Sequence, residues 1–150
     1  KRSLIFIMSE RINEANELSS KGFNCAQSVV GACCEKYGID KETAMKFAGS
    51  FGGGLRCGEV CGAVTGATMI IGLKYGQYLP DDLKSKEKCG EITLRFMEEY
   101  KKRNNSYLCK ELLGYDPRDK EMAEKLQDKK KAICSNAIEL AINMLEEMEI

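Results

Sequence analysis

The chain of 150 residues contains no histidine. This absence excludes Cys–His and Ser–His catalytic dyads, zinc fingers with two cysteine and two histidine ligands, and haem ligation by an imidazole of the chain itself. Chemistry at any site must therefore come from sulfur, carboxylate, lysine or tyrosine side chains, or from a bound cofactor.

A net charge is also lacking, because 23 basic residues balance 23 acidic ones. A balanced charge gives the protein no global field that would attract nucleic acid or an anionic membrane surface. We therefore expect no nucleic-acid partner.

Long apolar runs are missing too, since a membrane-spanning helix requires roughly 20 apolar residues. The most apolar stretch, Val60 to Leu73, is short and rich in glycine, so we expect no membrane insertion. Residues 1–8 place two basic residues before only five apolar ones, without a cleavage site, which does not make a signal peptide. We expect residues 1–7 to be a tag or start-site extension of a single domain that covers residues 8–150.

Cysteine, by contrast, is abundant, with eight in the chain. That number is high for an ordinary protein of a reducing compartment, yet it is below the density of small disulfide scaffolds, which also lack long helical patterns. The sequence therefore favours a cytoplasmic protein that uses its thiols.

Helix caps and apolar spacing predict helices along most of the chain. Ser9, Asn24 and Asp40 are predicted N-caps, and the stretch after Glu59 is apolar nearly all round, as in a helix surrounded by others. The predicted helices, by residue number, are 10–20, 25–37, 40–48, 59–75, 83–103, 108–113 and 133–147. We therefore predict an all-α, single-domain bundle of six or seven helices.

Four cysteines fall at predicted helix starts. Cys25, Cys61 and Cys109 lie at or within one turn of a helix N-terminus, and Cys134 is expected to open the last helix just after three lysines. Unpaired backbone N–H groups and the positive end of the helix dipole favour a thiolate there. Such sulfurs suit bare thiolates, a zinc tetrathiolate or an iron–sulfur cluster. The long intervals between them do not by themselves indicate a shared site, and no Cys-x-x-Cys motif is present.

The other four cysteines have less specific interpretations. Cys33 and Cys34 are expected to be small buried residues of a helix, and Cys89 to be partly buried packing. Three interpretations of Cys57 stay open, namely a resolving thiol, an auxiliary ligand and a loop residue. The glycine cluster at 52–54 fits no phosphate-binding motif and favours a bend that lets the backbone approach a cofactor or the Cys61 sulfur.

Several stretches together carry a resemblance to a known family. They are Phe23–Val29, Phe51–Gly54, Glu59–Ala67, Gly72–Gly76, Cys109–Gly114 and Cys134. With them the chain resembles the C_GCAxxG_C_C family of redox-active proteins, which is named for spaced cysteines around a Cys-Gly-Ala-x-x-Gly motif. The resemblance covers the chain from about residue 10 to 145.

The resemblance implies a redox role and assigns the family's four characteristic cysteines. They fall on Cys25, Cys61, Cys109 and Cys134, the same four thiols that helix-end electrostatics selects. Some relatives carry haem together with an iron–sulfur centre, but the haem part does not transfer, because the chain has neither histidine nor a Cys-x-x-Cys-His motif. No role transfers to the other four cysteines.

Three functions are compatible with these observations, and a homodimer is compatible with each. In the first, the four cysteines bind an iron–sulfur cluster, with the 2Fe-2S form favoured, in an electron carrier that serves a redox partner protein. In the second, a metal-free thiol–disulfide protein uses Cys61 as its catalytic, low-pKa thiolate. In the third, the four cysteines hold a structural zinc ion. The first hypothesis makes the protein a carrier rather than an enzyme, and the second leaves enzymatic activity open.

Overall fold

The computed structural model describes residues 9–150, which fold as eight α-helices with no β-strand in that range. The helices are α1 (Glu10–Ser20), α2 (Cys25–Cys33), α3 (Lys41–Ala48), α4 (Gly62–Tyr75), α5 (Leu83–Asn104), α6 (Cys109–Leu113), α7 (Lys120–Lys125) and α8 (Gln127–Glu147). A short 3₁₀ helix, Cys34–Tyr37, continues α2. The predicted all-α fold class is confirmed. The extension predicted for residues 1–7 lies outside the described residues.

The predicted N-caps are confirmed in the first half of the chain. The Ser9 side chain accepts a hydrogen bond from the backbone N of Ile12 at 3.1 Å. At the start of α2, Asn24 and Gln27 form a reciprocal capping box, with hydrogen bonds of 2.8 and 3.1 Å. These bonds satisfy N–H groups that a helix start leaves unpaired, so the local sequence fixes where α1 and α2 begin.

The second half contains more helix than the sequence analysis predicted. Asp119 caps α7 through the backbone N of Met122, and α8 begins at Gln127 rather than at Ile133. Residues 127–132 are all exposed, so the first turns of α8 lack the apolar periodicity on which the prediction relied. The additional helix is α7, which has no fully buried residue and so gives no apolar pattern, and with it the described residues contain eight α-helices rather than the six or seven expected.

Helix α4 lies at the centre of the bundle and packs against α2, α5 and α8. A Cβ on Gly66 would lie 3.0 Å from the carbonyl oxygen of Ala26, so the absence of side chains at the α4 glycines lets α2 approach closely. Buried side chains of α4, such as Val64 and Ile70, join the main core with Phe96 of α5. In the described part of the chain, no helix combines the length and apolarity needed to cross a membrane.

Candidate four-cysteine site

The starts of α2 and α4 lie side by side, which brings Cys25 close to Cys61. Cys25 is the first residue of α2, and Cys61 is the N-cap residue of α4. A Cβ on Gly62 would lie 3.1 Å from the backbone N of Ala26 and 3.3 Å from the Cβ of Cys25. Gly62 therefore permits a close contact between α2 and α4, and any larger residue at this position would force the two helices apart.

Two short extended segments, residues 59–61 and 107–109, place Cys109 beside Cys61. The backbone N of Cys61 donates to the carbonyl oxygen of Tyr107, and the backbone N of Cys109 donates to that of Glu59, both at 2.7 Å. An isolated antiparallel bridge joins Val60 to Leu108, the middle residues of the two segments. This pairing fixes the relative position of the two cysteines across a long interval of sequence.

Cys134 reaches the site from the middle of a helix. Its predicted position at a helix start is wrong, because α8 begins seven residues earlier at Gln127. Cys134 therefore has no unpaired helix-start N–H groups beside it. It packs instead against a small cluster that contains Cys109, Leu113 and Tyr115.

All four cysteines line one pocket of about 730 Å³. Cys61 and Cys109 are buried, whereas Cys25 and Cys134 are half-buried. The volume is within the range of roughly 300–1,000 Å³ that is usual for cofactor and small-molecule sites. The structure thus brings together the four thiols that the sequence analysis selected, and it shows all of them as free cysteines.

The glycine-rich segment forms one side of this pocket. Gly52 and Gly53 line it, and a Cβ on Gly54 would lie 2.8 Å from the Cβ of Cys109. Leu55 and Arg56 continue the segment with positive φ angles of 58° and 65°. The predicted bend is therefore present, and it approaches the site at Cys109.

The thiols of Cys25 and Cys134 interact with each other at the site. This interaction lowers the pKa of Cys134, and the charge of Lys130, one turn earlier on α8, lowers it further against the effect of burial. The same interaction, together with burial, raises the pKa of Cys25. In the metal-free protein the cation of Lys130 therefore favours a negative charge on Cys134.

Burial dominates the electrostatics of the other two thiols. It raises the pKa of Cys109 to about 12, with a further contribution from Cys61. Burial also raises the pKa of Cys61, although the N–H groups of Ala63 and Val64 at the start of α4 oppose that rise. The low pKa predicted for Cys61 is therefore wrong for the metal-free protein, because the loss of water outweighs the favourable helix end.

The Tyr100 hydroxyl is a neighbour of the site that the sequence analysis did not recognise. Tyr100 is fully buried on α5, and its hydroxyl accepts a hydrogen bond from Asn104 Nδ2 at 3.1 Å. The hydroxyl also interacts with the Cys61 thiol and lowers the pKa of that group. The sequence did offer a signal for this contact, because Tyr100 occupies a core position of its helix and a buried hydroxyl usually needs a hydrogen-bond partner.

Tyr115 is a second unrecognised neighbour. Its side chain is buried, and its hydroxyl has no hydrogen-bond partner among the described residues. The hydroxyl lies within electrostatic range of Cys109 and Cys134, which raise its pKa in addition to the larger effect of burial. An unpaired donor beside two thiols is able to hydrogen-bond to a sulfur that becomes negatively charged.

The remaining cysteines do not line the pocket. Cys33 and Cys34 are buried in the helical core, and Cys89 is half-buried on α5, as predicted. Cys57 is half-buried in the irregular segment before α4, where its thiol donates to the carbonyl oxygen of Gly54 at 3.6 Å. Of the three readings for Cys57, this arrangement favours a loop residue.

Four thiols are a donor set of the right type and number for zinc or for an iron–sulfur cluster. The Tyr115 hydroxyl has no hydrogen-bond partner among the described residues and lies near Cys109 and Cys134. A negatively charged sulfur of a metal or cluster site would offer this hydroxyl an acceptor. Within residues 9–150, no three cysteine or carboxylate side chains are placed so that they could hold a metal ion without rearrangement. Since one torsion redirects a cysteine sulfur, rotamer changes would have to complete the site.

An all-helical domain with four free thiols at one pocket, three of them at helix starts, defines a cysteine-cluster protein. Comparison with protein families then identifies the group: the chain belongs to the family described as "Putative redox-active protein (C_GCAxxG_C_C)", which matches residues 23–148. The resemblance found in the sequence is thereby confirmed. Comparison with curated proteins and with solved structures found no match.

Replacing Tyr100 with phenylalanine should make Cys61 less reactive in the reduced, metal-free protein. The Tyr100 hydroxyl lowers the pKa of Cys61, so its loss should reduce the thiolate fraction of Cys61 at a fixed pH. Because a hydrogen bond contributes about 1 kcal/mol, we expect alkylation of Cys61 by iodoacetamide to slow severalfold. Peptide mapping by mass spectrometry measures this rate.

Tyr37→Phe is the matched control, because the Tyr37 hydroxyl is also buried and has no partner among the described residues. It should leave the alkylation rate of Cys61 unchanged. Faster alkylation in Tyr100→Phe, together with a lower melting temperature, would instead show that Tyr100 acts only on the stability of the fold.

Proposed function

We propose that Cys25, Cys61, Cys109 and Cys134 form a single redox centre that binds an iron–sulfur cluster, with the 2Fe-2S form favoured. The observation that carries this proposal is the convergence of four thiols, from four separate segments of the chain, on one pocket. The family to which the chain belongs is described as redox-active. The absence of histidine restricts the ligands to sulfur and oxygen, of which sulfur is the usual ligand of such clusters.

In this proposal a bound cluster supplies one-electron transfer, and the protein determines its surroundings. The segment pairing at 59–61 and 107–109 orients Cys61 and Cys109. The helical core behind these two buried thiols excludes water. The hydroxyls of Tyr100 and Tyr115 interact electrostatically with cysteines of the site, and hydrogen bonds from such groups to thiolate sulfurs would tune both metal affinity and reduction potential.

A metal-free dithiol centre is the second candidate, and the interaction between the thiols of Cys25 and Cys134 favours it. Cys134, the thiol with the lowered pKa, would attack a disulfide of a substrate protein, and Cys25 would then resolve the mixed disulfide. The products are a Cys25–Cys134 disulfide and a reduced substrate dithiol, so two electrons pass from the protein to the substrate. This assignment replaces Cys61 as the attacking thiol. Structural zinc is a third alternative with the same four ligands.

Anaerobic isolation followed by metal and sulfide analysis distinguishes these functions. The iron–sulfur proposal predicts two iron and two acid-labile sulfide per chain, with visible absorption that dithionite bleaches. Stoichiometric zinc in a colourless protein would instead indicate the structural site. A metal-free protein that loses two thiols on mild oxidation, mapped to Cys25 and Cys134, would support the dithiol centre. Folded protein without metal and without reversible thiol oxidation contradicts the redox function itself.

A further inference from the structure

The pocket that contains the four cysteines has a strongly basic mouth. Five of the residues that line the pocket are cationic, and no lining residue is acidic. The cationic residues are Arg56, Arg118, Lys120, Lys130 and Lys131, and all five are exposed. In a chain whose total charge is zero, this arrangement concentrates positive charge at one place on the surface.

Most of this charge is not neutralised by neighbouring side chains. Among the described residues only Arg118 of the five has an ion pair, with Asp116 at 2.6 Å. Acidic residues of the same part of the chain, such as Glu121 and Asp128, do not line the pocket. The other four cations form no ion pair with a carboxylate among the described residues, so their positive charge can attract a negatively charged partner.

The form of this basic mouth fits a protein surface better than a small anion. A dedicated anion site holds its ligand with buried, preorganised donors, and Arg side chains usually do so in bidentate fashion. Here three of the five cations are exposed lysines on flexible stems, whose charge acts over a wide area. The exposed side chain of Phe23 at the pocket and that of Leu55 beside Arg56 add apolar contact area, with 40% and 48% of their surfaces accessible.

We propose that this basic mouth is the docking surface for a redox partner protein whose contact face is acidic. The inference rests on the proposed redox function, since it identifies the kind of protein that exchanges electrons with the four-cysteine site. Complementary charge would steer the encounter and orient the partner over the shortest path to the cysteines, while salt would weaken the complex and allow rapid release. Short-lived complexes of this kind are usual in electron transfer.

The test uses poly-L-glutamate as a probe of acidic polypeptide binding and backbone amide NMR of the full chain as the readout. At low ionic strength we expect saturable shifts at the amides around Arg56, Lys120 and Lys131, which disappear as salt is added. The variant Lys120→Glu/Lys131→Glu should weaken binding by about tenfold or more. Neither lysine is in the cysteine cluster, and glutamate is acceptable near a helix start.

Lys84→Glu/Lys86→Glu is the matched control, because it changes the charge equally at the exposed start of α5. That part of α5 lies toward the far end of α4, where Lys88 stands 5.7 Å from the ring centre of Tyr75. Since α4 is about 20 Å long, the control charges are remote from the pocket. The control variant should bind poly-L-glutamate within about twofold of the unmodified protein.

Several outcomes would overturn the docking proposal. Equal weakening by both variants, or shifts centred away from the pocket, would show a non-specific interaction. Tighter binding of duplex DNA at the same ionic strength would assign the mouth to nucleic acid, and tighter binding of inorganic pyrophosphate would assign it to a small anion. Because the shifts do not require a metal or a redox reaction, a failed metal analysis contradicts the proposed function without deciding this test, and the reverse also holds.

Discussion

Under the proposed iron–sulfur function, changing Cys61 to serine is expected to reduce bound iron and sulfide to less than about a tenth of their content in the unmodified protein. Cys61 is buried, with 6% of its surface accessible, and it lies between Cys25 and Cys109 at the site. Serine has nearly the same shape, but its hydroxyl is a poor ligand for iron in a cluster of this kind. The iron and sulfide contents of anaerobically isolated protein measure the effect.

This substitution separates ligand chemistry from folding unusually well. Cys61 occupies the N-cap position of α4, where serine is among the preferred residues. The helix start should therefore survive, and circular dichroism should show unchanged helix content. Cys89→Ser is the control, because Cys89 is half-buried on α5 and does not line the pocket. Full cluster content in Cys61→Ser, or an equal loss in Cys89→Ser, would contradict the assigned ligand set.

Changing Gly54 to alanine is expected to lower the free energy of unfolding by about 2–4 kcal/mol. Gly54 has a φ angle of 61°, and a Cβ there would lie 2.5 Å from the backbone N of Glu59 and 2.8 Å from the Cβ of Cys109. The new methyl group would therefore push backbone against backbone in the segment that pairs with residues 107–109. Urea denaturation of reduced, metal-free protein measures the loss.

Gly53→Ala isolates the contribution of backbone conformation from that of the steric clash. Gly53 has a similar φ angle of 65°, but a Cβ there would meet no atom within 4 Å. It should cost only about 1 kcal/mol, which is the strain of the left-handed conformation. If the two variants lost equal stability, the close approach of Gly54 to Glu59 and Cys109 would not matter for the fold.

Much of the local structure could be predicted because its causes are local. Ser9 and Asn24 make hydrogen bonds to backbone N–H groups three residues ahead, and such caps can be recognised in a few letters of sequence. The position of Cys25 at a helix start followed from the Asn24 cap, and that of Cys61 from the apolar stretch that begins near Glu59. The start of α8 was missed because its first turns are exposed on all sides and carry no apolar period.

The assembly of the site depended on contacts that the sequence pattern does not display. Cys109 reaches Cys61 through backbone hydrogen bonds between distant segments, and these bonds involve no characteristic side chain. The pKa of Cys61 also depends on how fully the bundle excludes water from the thiol. The position of Cys61 at a helix start does not reveal this degree of burial. The family resemblance supplied the grouping of the four cysteines before the structure showed their common pocket.

The paired segments 59–61 and 107–109 couple Cys61 to Cys109. The backbone amides of these two cysteines make two hydrogen bonds that flank one bridge, so we expect local opening to release both bonds together. Cys61 and Cys109 should therefore leave the pocket as a unit. Amide hydrogen exchange at the two residues should then report the same opening free energy.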